Sequence, residues 1–168
     1  MNHFNKIFDE IVLPLGYKKT STDEFLFGLS RAYYEYAVNH KQIWKELDWY
    51  KQGLEHLKGQ NAFNERLIAL CKGNSAIISE VKGHYRTEIW NNFNGEFIKD
   101  YDISKAIFEL VKDTGVNGIK AICKSFGFEI KDTLSLDDVD TINRKTKQSV
   151  LAIISKIYGD LTKIMKVV

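Results

Sequence analysis

Glu80 and His84 stand one helical turn apart, a spacing that lets a carboxylate and an imidazole touch one metal ion or share one proton. A metal site needs more than two protein ligands, and none of His3, His40 and His56 stands at a matching spacing. Asp137, Asp138 and Asp140 could serve as paired carboxylates for acid–base work. They follow Ser135, however, and the dipole of a serine-capped helix favours acids in its first turn without any chemistry. Both groups are therefore read as structural, and no catalytic residue, metal ligand or cofactor is assigned. The chain has no phosphate loop, nucleophile elbow or zinc-type cysteine spacing.

The stretch YYEYAVNHKQIWKELDWY, residues 33–50, gathers six aromatic rings and one histidine. Tyr33, Tyr36 and Tyr50 fall on an apolar helical seam and Trp44 borders it, so burial accounts for those four rings. Tyr34 and Trp49 fall on outward faces, where exposed tyrosine and tryptophan mark interfaces. With His56 they are the candidate contacts for a protein partner or for a second copy of the chain. Stacking of single-stranded nucleic acid would need basic residues between the rings, and Lys41 and Lys45 are too few.

Charge points the same way. Twenty-four basic and twenty-two acidic residues leave a formal net charge of +2, shared evenly between residues 1–93 and 94–168, so neither half is a basic arm. Only Arg31, Arg66, Arg86 and Arg144 offer the planar fork suited to phosphates and base edges. The stretch TGVNGIKAICKSFG has the glycine joint of a helix-turn-helix, but its second helix brings only Lys120 and Lys124, so it reads as a packed helix pair.

The segment LSRAYYEYA, Leu29 to Ala37, resembles the SRAYYA helix of HEPN-type helical domains, many of which are ribonucleases or nucleic-acid-linked defence and toxin proteins. The resemblance implies a helical fold. Active members carry an arginine, a polar residue, and a histidine four to six positions after the arginine. Here NRKTKQS offers Arg144 and Lys145, with Gln148 and Ser149 where the histidine would stand, and Arg31 has His40 nine residues on. The general base is missing, so the resemblance implies an inactive RNA-binding or RNA-processing relative, with Arg144, Lys145 and Lys147 on RNA phosphates.

The elements that must position these residues read as all-α. At 168 residues and 44% hydrophobic the chain suffices for one helical domain over 1–168 with a real core. Pro14 is the only proline and alternating apolar runs are nearly absent. A short helix over 3–12 carries Phe4, Ile7, Phe8 and Ile11 on one face. Ser21 or Thr22, with Asp23 and Glu24 behind, predicts the start of a long helix. Along it Leu26, Leu29, Tyr33, Tyr36, His40, Ile43, Leu47, Tyr50, Leu54 and Leu57 keep a heptad-like spacing, a coiled-coil rod of about 48 Å.

Gly59 ends that rod, and a second stripe over 61–93, through Phe63, Leu67, Leu70, Ile77, Val81, Tyr85, Ile89 and Phe93, predicts a long antiparallel hairpin weakened at Gly73 and Gly83. In that register His40 faces Ser79 and Glu80 as a buried polar residue that fixes alignment, and Tyr36 faces Gly83. Short helices follow near 103–113 and 117–125, then a loop or a strand fragment over FGFEIKDT. A last long helix capped by Ser135 has Val139, Ile142, Val150, Ile153, Ile157, Leu161 and Ile164 on its apolar face. The expected architecture is an elongated bundle, with the terminal helices packed on the hairpin.

The start, MNHFNKIFDEIVLPLG, lacks the basic leader and cleavage site of a signal peptide, and no apolar run approaches the roughly 18 residues of a membrane span. Isolated Cys71 and Cys123 on apolar faces fit core positions in a reducing, cytoplasmic setting. Usage rich in lysine, isoleucine and asparagine is compatible with a bacterial or phage source. The sequence thus predicts a non-enzymatic helical module that docks a protein or itself, outside membranes. Nucleic-acid binding is the alternative.

Overall fold

The computed structural model describes residues 3–37 and 41–167, with side chains described outside 35–41 and 164–168. The structure is mostly helical with one small antiparallel sheet. The chain gathers into two compact units, Phe8–Gly83 and Met1–Ile7 with His84–Val168. The expected position of His40 in the seam, and the side chain of Tyr36 opposite Gly83, lie outside the described residues. No helix among the described residues is long and apolar enough to cross a membrane.

The largest departure from the expected helices lies at 17–30. Strands β1 (Tyr17–Lys19), β2 (Glu24–Leu26) and β3 (Leu29–Ser30) form a meander in the order β1-β2-β3. Tyr17 pairs with Leu26, and Leu26 in turn with Leu29. The residues read as a helix cap instead close the first turn. Thr20 Oγ1 accepts from Thr22 N and Asp23 N, and Thr20 N donates to Asp23 O at 2.8 Å. Such local side-chain bonds give the backbone an alternative to a helix.

The second turn places Phe27 at φ 48° and Gly28 at φ 82°, the two positive values of a type I′ turn. Phe27 is nonetheless fully buried, and its N–H reaches Gly16 O at 2.7 Å. Glycine at 16 is required too, since its φ is 57° and a Cβ there would stand 2.9 Å from Ile68 Cδ1.

The first long helical stretch, described as α2 (Arg31–Ala37) and α3 (Lys41–Gly53), therefore begins only at Arg31, so the expected rod does not start at Ser21 or Thr22. Ser30 Oγ accepts from Tyr33 N and Asp23 Oδ1 from Ala32 N, which satisfies amides in the first turn of α2. With Leu26 and Leu29 in strands, the phase assumed for the seam is lost. Tyr34 faces in at 5% exposure and Tyr33 faces out at 61%. In α3 Ile43 and Leu47 of the expected stripe are buried together with bordering Trp44, while Tyr50 is only half-buried.

Beyond the positive-φ Gly59, α4 (Asn61–Lys72) packs on α3, and α5 (Ser75–Tyr85) follows a break at Gly73. Asn74 makes that break a joint. Its Oδ1 accepts from Ala76 N and Ile77 N, while its Nδ2 donates to Glu46 Oε2 and Tyr50 Oη of α3. Burial pushes the Cys71 thiol up to about 12, as befits a core residue, and Cys123 is likewise buried and unpaired with sulfur.

The other unit starts from α1 (Phe4–Ile7), after which Phe8–Val12 continues as a π-helical turn of the first unit. Phe4, Ile7, Phe8 and Ile11 are all buried, as their spacing predicts. Phe4 lies against Trp90 and Phe108 at centroid distances of 5.5 and 6.5 Å, with the Arg86 guanidinium 4.3 Å above its ring. Helices α6 (Tyr101–Thr114) and α7 (Val116–Phe126) match the expected short pair, turning at Gly115.

The expected last helix is two. Ser135 and Asp138 form a capping box on α8 (Leu136–Arg144), and α9 (Lys147–Val167) restarts after extended Lys145. On α9 Val150 and Ile157 of the expected face are buried, with Ile154 buried in place of half-buried Ile153.

Candidate functional site

The exposed face of α3 is set by the helix's own periodicity. Ile43, Trp44 and Leu47 are 1%, 1% and 0% exposed on the inner side, which turns Gln42, Lys45 and Trp49 outward. Trp49 is 73% exposed, the most of any large hydrophobic residue described. Beside it Gln42, Lys45, Glu46, Trp49 and Tyr50 line a shallow concavity of about 350 Å³. Asn74 fixes its floor by holding Glu46 and Tyr50 at 3.2 and 2.9 Å, so this part of the surface is preorganised.

The three residues expected to meet a partner do not come together. Trp49 lies at the concavity, and His56 is exposed on the short 3-10 turn Glu55–Leu57 beyond the end of α3. Tyr34, expected to face outward, is instead buried, its ring edge-on to Tyr33 at 5.1 Å, because α2 starts at Arg31 and not in the phase of Leu26.

A charged clamp on the inner flank of the same helix was not anticipated. Arg31 donates Nη1 and Nη2 to Asp48 Oδ1 and Oδ2, both at 2.8 Å, and Nη1 also reaches Glu24 Oε1 at 3.0 Å. Lys51 Nζ and the Tyr17 hydroxyl both donate to Glu24 Oε2 at 2.5 Å. Two acids and two bases thus tie β1 and β2 to α2 and α3.

Burial alone would raise the Glu24 carboxyl, but the bonds from Lys51 and Tyr17 and the nearby positive charges hold it below its ordinary value. The Arg31 fork does the same for Asp48 against a smaller desolvation effect. Burial and the bond to Glu24 push the Tyr17 hydroxyl upward. A depression of about 310 Å³ over residues 19–24 adjoins the clamp. Its Asp23 oxygens are taken by Glu24 N, Ala32 N and Ser30 Oγ, which makes it turn scaffolding.

The residues expected to meet RNA lie at the α8–α9 joint, each beside an internal partner. Arg144 pairs with Asp140 at 3.1 Å, Lys145 Nζ lies 5.8 Å from the Phe126 ring, and Lys147 reaches Asp100 at 3.4 Å and also Asp102. The bond to Asp102 raises the Lys147 ammonium, and the same bond lowers Asp102. Asp138 closes the Ser135 cap and accepts from Lys131 at 3.1 Å. No group of three or more metal-ligating side chains occurs among the described residues. No family model, curated protein or solved structure matches the chain.

Proposed function

We propose that this protein is a non-enzymatic helical binding module that docks a protein partner through the outer face of α3. One observation carries the reading: Trp49 stands 73% exposed beside a preorganised concavity. A tryptophan can bury some 150–250 Å² in a complex, and centrally placed tryptophans are the commonest binding hot spots. The α3–α4 hairpin is the scaffold of this face, and exposed His56 is an outlying contact. Tyr34, buried at 5% exposure, is not part of this face.

Affinity capture with the tagged full chain tests the reading. A stoichiometric complex is expected, and Trp49→Ala should weaken it by about 1 kcal/mol or more while shifting stability by less than about 0.5 kcal/mol. Unchanged capture by that variant would dismiss the α3 face as a docking surface.

The alternative, an inactive HEPN-like RNA-binding domain, draws on one contact. Lys145 approaches Phe126, whose ring stacks on Phe128 at 5.6 Å, an aromatic and basic pairing of the kind that holds single strands. Asp140, Asp100 and Asp102 already pair with Arg144 and Lys147, which leaves little net positive charge there. A salt-dependent shift of labelled RNA would favour this reading over the first.

A further inference from the structure

We propose that the partner of the α3 face is a second copy of this chain, its α3 lying antiparallel across a two-fold axis between Lys45 and Glu46. The inference rests on the docking reading above and supplies its occupant. Gln42, Lys45, Glu46 and Trp49 stand at i, i+3, i+4 and i+7, the spacing of a helix–helix seam, on the side of α3 opposite buried Ile43, Trp44 and Leu47. One helix thus carries two seams, of which its own fold fills one.

The outer seam is complementary to itself. A two-fold contact presents one patch to its own copy, so the patch must hold both halves of every interaction. Antiparallel pairing about a point between positions 45 and 46 sets Lys45 against Glu46 of the second copy, and Glu46 against its Lys45. The same register sets Trp49 over Gln42 of the second copy. There the indole enters the concavity of about 350 Å³, and Lys45 of that copy flanks it with its aliphatic stem and its ammonium. Adjacent opposite charges suit this register alone, since a parallel pairing would bring lysine to lysine. A 13-residue helix is about 20 Å long, so the buried area lies below about 1,200 Å² and the dimer is a weak, reversible one.

Sedimentation velocity on the full chain from about 1 μM to about 1 mM reads the association directly. Wild type should pass reversibly from monomer to dimer, and Trp49→Ala should raise the dissociation constant at least tenfold. Lys45→Glu and Glu46→Lys should each be monomeric, because each faces like charges twice across the axis. Mixed in equal amounts they should form a heterodimer, since every pair is then restored.

A monomer at all concentrations, or a dimer indifferent to Trp49→Ala and Lys45→Glu, overturns the inference. Glu46→Lys also disturbs the Asn74 contact, so its melting midpoint is measured beside the others. Should it fail to fold, the two exposed-site variants decide. If the chain stays monomeric yet captures a different protein through Trp49, self-pairing is wrong and the docking reading stands. If Trp49→Ala changes neither, both fall.

Discussion

A Gly95→Ala chain is expected to lose about 3 kcal/mol of stability, a fall in melting midpoint of roughly 6–12 °C for a protein of this size. Gly95 is buried, and a Cβ there would stand 2.5 Å from Trp90 Cδ2 and 2.6 Å from Cε2 and Cε3, well inside van der Waals contact with the ring face. The indole cannot retreat. It is 1% exposed, packed by Phe4 at 5.5 Å and Phe93 at 5.3 Å, and its Nε1 donates to Glu96 Oε2 at 3.1 Å. Thermal unfolding with near-ultraviolet circular dichroism measures both the loss and the disturbance of Trp90. Gly83→Ala is the control. It lies in an open helical position with nothing within 4 Å of a Cβ, so there alanine should add up to about 1 kcal/mol. Equal midpoints for the two variants would show that Trp90 yields.

Removing the centre of the clamp should cost nearly as much. Glu24→Ala leaves the Tyr17 hydroxyl and the Lys51 ammonium without their shared acceptor in a region where the Glu24 side chain is only 12% exposed. The expected loss is about 2–3 kcal/mol. The same clamp gives a signed dependence on pH. The folded carboxyls of Glu24 and Asp48 titrate below their unfolded range, so their contribution is complete above that range and disappears as pH falls through the folded values.

The wild-type midpoint should therefore be flat toward neutral pH and decline below about pH 4. Glu24→Gln should flatten part of that decline and not all of it, because Asp23, Asp102 and Asp138 are lowered as well. An acid slope identical in wild type and Glu24→Gln would show that the clamp is not its source.

Where local pattern and local chemistry agreed, the sequence was a sufficient guide. Ile103, Ile107, Leu110 and Val111 form the buried stripe of α6, and Ser135 caps α8 as its type and its acidic neighbours predict. The strands escaped notice because two signals competed over the same residues. Ser21 to Glu24 reads as a helix cap, and Leu26, Leu29 and Tyr33 fit a heptad. The opposing sign was the Phe27–Gly28 pair between Leu26 and Leu29, a turn signal disguised by a phenylalanine where asparagine is usual.

The α8–α9 joint has neither glycine nor proline, and only Thr146, whose Oγ1 accepts from Ser149 N at 3.4 Å, marks it. The clamp could not be read at all, since Glu24, Arg31, Asp48 and Lys51 converge only once the meander exists. Of the candidate site, Trp49 was legible because its phase is set inside α3. Tyr34 is not legible in the same way, because the residues before it that set the heptad phase, Leu26 and Leu29, are in strands.

Phe27 has one further implication, for the order of assembly. A left-handed backbone disfavours a bulky residue, by about 1–3 kcal/mol, so the β2–β3 turn has no reason to close on its own in an unfolded chain. What holds it shut is the hydrophobic gain of enclosing the ring, available only after its pocket exists. The hairpin tip is then a late event in folding and the core its template. In native-state hydrogen exchange the Phe27 amide should accordingly open only with the whole unit, protected like an interior helix although it sits in a two-residue loop.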